Sequence, residues 1–234
     1  MKTRKLLIAM IFAFAGLTGF VSSDSCIFYY PTGEGTITET TYYNAKGKPT
    51  GSKMYIEVKE VSDSSGYTVE KIHSWYTEEG SDTAVSTVDY DVMCKDGKFL
   101  INMTSYLNKE KLAAYEGMDI KMDSKNMTLP ANLSAGQKLD DGYVTATVSN
   151  EGFTVMTIKV DIKNRKVDAL EKITTPAGTF DAVKVSYDIE TKMGFTFKAK
   201  GVEWYVKDIG VVRSESLNKK GKLQSYREIT KITK

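Results

Sequence analysis

The sequence predicts a mostly β protein, an antiparallel meander that forms an open or half-closed β-barrel, or a sandwich, with one short helix. Two observations carry this. Apolar residues recur with a period of two at Ile56 and Val58, Val88-Tyr90-Val92, Phe99-Ile101-Met103, Met156-Ile158-Val160-Ile162 and Val183-Val185-Tyr187-Ile189. That alternation is the pattern of strands with one buried and one wet face. Between these runs lie short turn signals: Asn44 to Lys48, Ser64-Ser65-Gly66, Lys95 to Lys98, Ser149 to Gly152, Pro176-Ala177-Gly178 and Asn218 to Lys222. Glycine supplies the positive φ that tight hairpins need, and Pro176 presets a turn corner.

The chain has 234 residues and opens on a segment with the parts of a secretory signal peptide. Lys2, Arg4 and Lys5 precede an apolar run from Leu6 to Val21, and Val21-Ser22-Ser23 gives small residues where cleavage would fall. The run is shorter than the roughly 20 residues of a bilayer-spanning helix, so residues 1–23 read as a cleaved signal, not an anchor. Removing it turns 32 basic and 30 acidic side chains into 29 against 30. A nearly neutral mature chain gives no electrostatic case for nucleic-acid binding. No second apolar run is long enough to form a transmembrane segment, so the expectation is a soluble protein of the periplasm or the extracellular medium.

Cys26 and Cys94 are the two cysteines. In an oxidising compartment such a pair is read as a disulfide. The competing reading is a lipid on Cys26, against which Ser23-Asp24-Ser25 lacks the aliphatic residue expected three positions before a lipidated cysteine. From Leu107 to Glu116, Leu107, Leu112, Ala113 and Tyr115 form a short apolar stripe, predicting one helix with Asn108 near its start. Met118-Asp119-Ile120-Lys121-Met122 returns to alternation, and Asn126 to Gln137, with Pro130 and Gly136, reads as a connecting loop. Residues 24–234 then form a single β domain, either undivided or built of two related halves, 24–125 and 138–234. The echo of Asn44-Ala45-Lys46-Gly47-Lys48 in Asn218-Lys219-Lys220-Gly221-Lys222 supports related halves, or one hairpin turn used twice.

Several motifs carry a resemblance. They are Cys26 to Gly35, Met93-Cys94-Lys95-Asp96-Gly97, Asn164-Arg165-Lys166-Val167 leading through Glu171 to Thr174-Thr175-Pro176-Ala177-Gly178-Thr179-Phe180, and Glu203-Trp204-Tyr205-Val206-Lys207-Asp208-Ile209-Gly210-Val211-Val212-Arg213. Together they resemble the exported TapB family over nearly all of the mature chain. The resemblance implies an envelope protein similar in fold to lipid-handling half-barrels, in which a helical lid covers an acyl chain; that step is an analogy of fold, not of chemistry. Turn geometry alone would also explain the glycines and prolines.

Catalytic chemistry finds little support. His73 is the single histidine, and there is no G-x-S-x-G elbow to place a nucleophile beside a base. His73 has no partner at metal-ligand spacing, so neither a metal nor a cofactor is expected. Carboxylate pairs occur at Asp89 and Asp91, Glu78-Glu79 and Asp140-Asp141, as they would in any chain this acidic. The expectation is a protein without enzymatic activity.

Binding is better supported. Met93, Met103, Met118, Met122 and Met127 gather around the expected helix, with Met156 and Met193 later, and flexible thioethers suit adaptable apolar sites as well as ordinary cores. The candidate ligand contacts are Met103, Met118, Met122 and Trp204, for a lipid or another apolar ligand in a cavity of at least ~300 Å³. The alternative is an interaction module for an envelope or secretion partner, with no cavity and an aromatic patch such as Tyr29, Tyr30, Tyr42 and Tyr43.

Overall fold

The structure, a computed structural model, describes residues 27–234 apart from 65, 82, 108–111, 113, 114 and 116. The signal segment and Cys26 lie outside the described residues, and so does most of the helix expected over 107–116. Cys94 is fully buried, in a cluster that includes Phe28.

Thirteen strands follow one another: β1 (Ile37–Asn44), β2 (Pro49–Ser64), β3 (Tyr67–Thr77), β4 (Ser86–Lys95), β5 (Lys98–Ile101), β6 (Asp119–Lys125), β7 (Met127–Pro130), β8 (Gly142–Asn150), β9 (Phe153–Thr175), β10 (Gly178–Met193), β11 (Phe195–Val206), β12 (Gly210–Asn218) and β13 (Leu223–Thr233). They form one sheet in the order β6-β8-β9-β10-β11-β12-β13-β1-β2-β3-β4-β5-β7. Neighbours are antiparallel, as hairpin connections require. The strands before and after 126–137 keep together as β1–β5 and β8–β13, and the two blocks are joined in one sheet because β1 pairs with β13 and β6 crosses to pair with β8.

The two end strands, β6 and β7, are consecutive in the chain, with only Asn126 between them. The first half of this split strand pairs with β8 and the second with β5. The sheet's ends therefore meet, giving a nearly closed barrel in which few strand edges are left open. Here the structure corrects two expectations. Met127–Pro130 is a strand, not loop, because Met127 and Leu129 alternate into the core. Met103 does not extend β5; it begins a short 3-10 helix, Met103–Leu107, that packs on β8 and β6.

Three residues build the junction. The Asn126 Oδ1 accepts a hydrogen bond from the Met103 backbone N–H at 3.0 Å, tying the 3-10 turn to the break. Gly142 opens β8 at a point where a methyl group would collide with Met127 and lie 3.1 Å from Met103 Cγ. Arg165, 2% exposed, donates from Nη1 to the carbonyls of Thr128 at 3.2 Å and Asp140 at 2.7 Å. It can do so because β9 is irregular here: Asn164 takes a φ of 56°, and the register with β10 shifts between Ser186 and Asp188. Asparagine tolerates that left-handed geometry better than most residues, so the Asn164-Arg165 motif is a device for closing the barrel.

The turn echo has the same cause twice. The Asn44 Oδ1 accepts from the Lys46 and Lys48 N–H groups, and the Asn218 Oδ1 from those of Lys220 and Lys222. Both are Asx-stabilised hairpins, and they sit side by side because Asn44 pairs with Ser225.

The core divides into three clusters. One joins Phe28, Tyr29, Ile72, Phe99, Leu129 and Tyr205; a second joins Met103, Leu107, Met127, Val144 and Ile162. A third gathers Trp204, Val206, Val212 and Ile229 with the far end of the β9–β10 hairpin through Ile173 and Phe180.

Arg165→Met is expected to lower the unfolding free energy by about 2–4 kcal/mol, because two carbonyls lose the donor they share. Urea denaturation reads it, and a loss below about 0.5 kcal/mol would show that the closure does not depend on this side chain.

Candidate functional site

Strand alternation and register place a set of polar aromatic side chains on the inner face of the barrel. Tyr42 on β1 is paired with Arg227 on β13, and Met54 on β2 with Tyr76 on β3. Across the barrel, Tyr187 on β10 is paired with Gly201 and Val185 with Glu203 on β11. Glu203 is in turn opposite Ser214, and Ser214 opposite Arg227. Tyr106 enters from the 3-10 turn, and Tyr30 reaches Tyr90 from the N-terminal segment.

The contacts among these groups are loose around Arg227 and tight around Glu203. The Glu203 carboxylate accepts a short hydrogen bond from the Tyr205 hydroxyl and a 3.4 Å one from Ser214 Oγ. Arg227 lies 3.9 Å from Glu203 Oε1 and 3.9 Å from Met54 Sδ. Tyr42 and Tyr76 meet edge to face at 5.9 Å. Tyr30 and Tyr90 share a hydroxyl–hydroxyl hydrogen bond, and Tyr30 stacks on Phe99.

Burial, the largest influence on each, pushes the phenols of Tyr30, Tyr106, Tyr187 and Tyr205 well above their ordinary value, so all stay neutral. Burial works against the charge on Arg227, but Tyr42 and Glu203 outweigh it and its guanidinium is held protonated more firmly than usual. Yet Tyr30, Tyr42, Tyr90, Tyr106 and Tyr187 are each only half-buried, and the Arg227 side chain is 30% exposed. Groups that are strongly desolvated yet still touched by solvent lie on a concave wall. Gly201 deepens that wall: any side chain there would run into the Tyr187 ring, which occupies the space beside its backbone.

The residues singled out from sequence do not converge. Met103 is fully buried in the second cluster, beneath the 3-10 turn. Met118 is half-buried just before β6, and Met122 is 38% exposed on β6. Trp204 follows Glu203 and precedes Tyr205, so it faces the opposite side of the sheet. There its Nε1 donates to Glu171 Oε1 at 2.7 Å and pins the β9–β10 hairpin. The suggested tyrosine patch is split, with Tyr29 buried and Tyr43 stacked on Tyr226 at 4.8 Å.

Two shallow basins lie on the outer face. One, of about 300 Å³, is lined by charged residues including Lys163, Asp188, Glu190 and Lys200. The other, of about 260 Å³, lies beside Tyr55 and Trp75, whose rings stack at 5.0 Å. Neither is the methionine-lined cavity expected from sequence. His73 Nδ1 lies 2.6 Å from Asp89 Oδ1 on that same outer face, against Trp75. Among the described residues no group of three His, Cys, Asp or Glu is placed to hold a metal ion, and no helix is long and apolar enough to cross a membrane.

The sequence model of the DUF3108-like family matches residues 33–229. The chain belongs to the DUF3108-like family. Two crystal structures share the fold seen here. One, from Bacteroides fragilis, is named as an exported protein with a YmcC-like fold; it is 25% identical, covers 89% of this chain and 100% of its own, and superposes with a TM-score of 0.70. The other, from Parabacteroides distasonis, is named as a lipoprotein; it is 28% identical, covers 89% of this chain and 99% of its own, with a TM-score of 0.70. No curated protein matches the chain. Neither the family nor these neighbours carries the TapB name that the motifs resemble, so membership stands at the level of the DUF3108-like family.

One further ionisable group faces the first cluster. Glu70 is 2% exposed, its Oε2 has no hydrogen-bond partner, and burial, then the nearby Asp208, pushes its carboxyl up to about 7. A carboxyl with a raised folded-state pKa keeps its proton in the native protein after the unfolded chain has lost its own. Stability is therefore full below about pH 4.5 and falls as pH rises towards 7, by up to about 3 kcal/mol. Urea unfolding at pH 5 and pH 8 should show that fall in wild type and its loss in Glu70→Gln. The same slope in both proteins would contradict the assignment.

Proposed function

We propose that this protein is an exported binding protein of the bacterial envelope, without catalytic chemistry of its own, that holds an apolar ligand such as the acyl part of a lipid inside the barrel. The observation that carries the reading is the concave wall of neutral, half-exposed tyrosines around Arg227, with Gly201 making room for the flat Tyr187 ring. Tyrosine offers a large apolar face with little loss of side-chain freedom, and a site of that kind with one or two convergent polar groups is the usual form of a small-molecule pocket. Arg227 is the polar anchor. A guanidinium has five donors; those of Arg227 meet the Tyr42 hydroxyl and reach Met54 Sδ and Glu203 Oε1 only at 3.9 Å, so donors remain for an anionic or carbonyl group of the ligand.

Export is supported by the signal-like N-terminus and by the names of the two neighbours. A second reading, an interaction module for an envelope partner, is favoured by the Tyr55–Trp75 stack beside the outer basin. Aromatic pairs of this sort anchor protein interfaces.

Native mass spectrometry of protein purified from its own host separates the two. The binding reading expects a reproducible added mass on wild type. Gly201→Ala, which forces the Tyr187 ring off the wall, and Arg227→Gln should each reduce the occupied fraction by about tenfold, equivalent to roughly 1.4 kcal/mol. A clean apo mass for wild type would overturn it in favour of the interaction module.

A further inference from the structure

The inner wall does not stop at the barrel rim. On β10, Tyr187, Ile189, Thr191 and Met193 share a face, and their partners on β11 are Gly201, Ala199, Phe197 and Phe195. Alternate residues of a strand point the same way, so the surface that holds Tyr187 continues to the hairpin tip at Gly194. There it becomes exposed and apolar: Phe195 is 72% exposed, Phe197 59% and Met193 44%.

The same end of the barrel carries both Asx turns. Ala199 pairs with Asn218, so the turn holding Lys219, Lys220 and Lys222 lies alongside the start of β11, and the turn holding Lys46 and Lys48 lies next to it. Among the described residues none of these five lysines is in an ion pair, and neither turn contains an acidic residue. By contrast, Lys192 and Lys198, which flank the apolar tip, are both bound to Glu190. Glu78 and Glu79, in the β3–β4 connection, stand at the same end beyond β2, where Glu79 packs against Gly51, so these carboxylates bound the basic rim on that side.

We propose that this rim docks on an anionic lipid surface, with the Met193–Phe197 hairpin tip entering the interface and the two lysine turns resting on the headgroups. A lipid surface fits better than a protein. Lysine is depleted from protein interfaces, whereas a few exposed aromatic residues beside unpaired lysines are what a bilayer interface accommodates. Three side chains at one hairpin tip also make a small apolar area for a stable protein contact. The proposal rests on the apolar-ligand reading only for what would pass along the continuous β10–β11 face into the barrel; the docking is tested by itself.

Flotation of the host-purified protein with phosphatidylcholine vesicles, with and without phosphatidylglycerol, reads it. The expected result is flotation with the anionic vesicles, weakening as salt is raised because exposed charges are screened. The Phe195→Ser/Phe197→Ser variant and the Lys219→Glu/Lys220→Glu/Lys222→Glu variant should each lower the floated fraction by about tenfold while leaving the native mass-spectrometric ligand signal unchanged. Wild type that stays in solution, or variants that float as well as wild type, would overturn the docking, and a retained ligand mass would leave the binding reading standing. A concentration-dependent dimer abolished by the phenylalanine variant would overturn it in favour of a second copy of this chain.

Discussion

The barrel depends on how one strand is shared between two ends of a sheet. Residues 119–130 run as β6 and then, past Asn126, as β7, and the two halves find different partners. A chain cannot switch partners without leaving carbonyl groups unanswered near the break, and buried carbonyls without donors are destabilising. Arg165 answers two of them with one guanidinium nitrogen. Gly142 removes the Cβ that would keep β8 away from Met127 and Met103, and Asn126 ties the 3-10 turn to the same place. With these in position the edges close.

Closure of this kind produces an interior that is not uniformly apolar. The first and second clusters fill much of it with Ile, Val, Leu, Phe and Met, while the inner faces of β1, β10, β11 and β13 present Tyr42, Tyr187, Glu203 and Arg227. A half-buried arginine and a buried glutamate held at 3.9 Å do not gain what an ideal pair would, and apolar replacements of the same shape are often the more stable choice. Their presence on a concave wall thus points towards use rather than stability. The Glu203 contact with Tyr205 and Ser214 orients the carboxylate, and Arg227 keeps part of its side chain exposed.

Much of the fold was legible because it is local. The period of two at Met156 to Ile162 and Val183 to Ile189 reports the inner faces of β9 and β10 directly, and Asn44 and Asn218 announce their turns through the hydrogen bonds that asparagine makes to its own backbone. The four-residue strand β7 was hidden because Met127-Thr128-Leu129-Pro130 is too short for its period to stand out and ends in a proline. The candidate site was hidden for a different reason. Arg227 looks like any charged strand residue until its pairing with Tyr42 and Ser214 is known, and the neighbouring registers shift at Thr230 and again near Leu217. Long-range register decides which face a residue takes, and no local pattern records it. One signal was available: Gly201, in the middle of an otherwise well-formed strand, marks a place where something packs against the backbone. The methionines and Trp204 stand apart from this wall: Met103 serves the closure, and Tyr205, not Trp204, faces inward.

The account stands on the inner wall being a site and not a partly filled core. A crystal structure of the protein purified from its own host, without added ligand, tests this most directly. The account predicts continuous non-protein density against the Tyr187 ring and the Arg227 guanidinium. It would be contradicted by a wall on which the Tyr42, Tyr106, Tyr187 and Arg227 side chains close on one another and leave no room for a ligand.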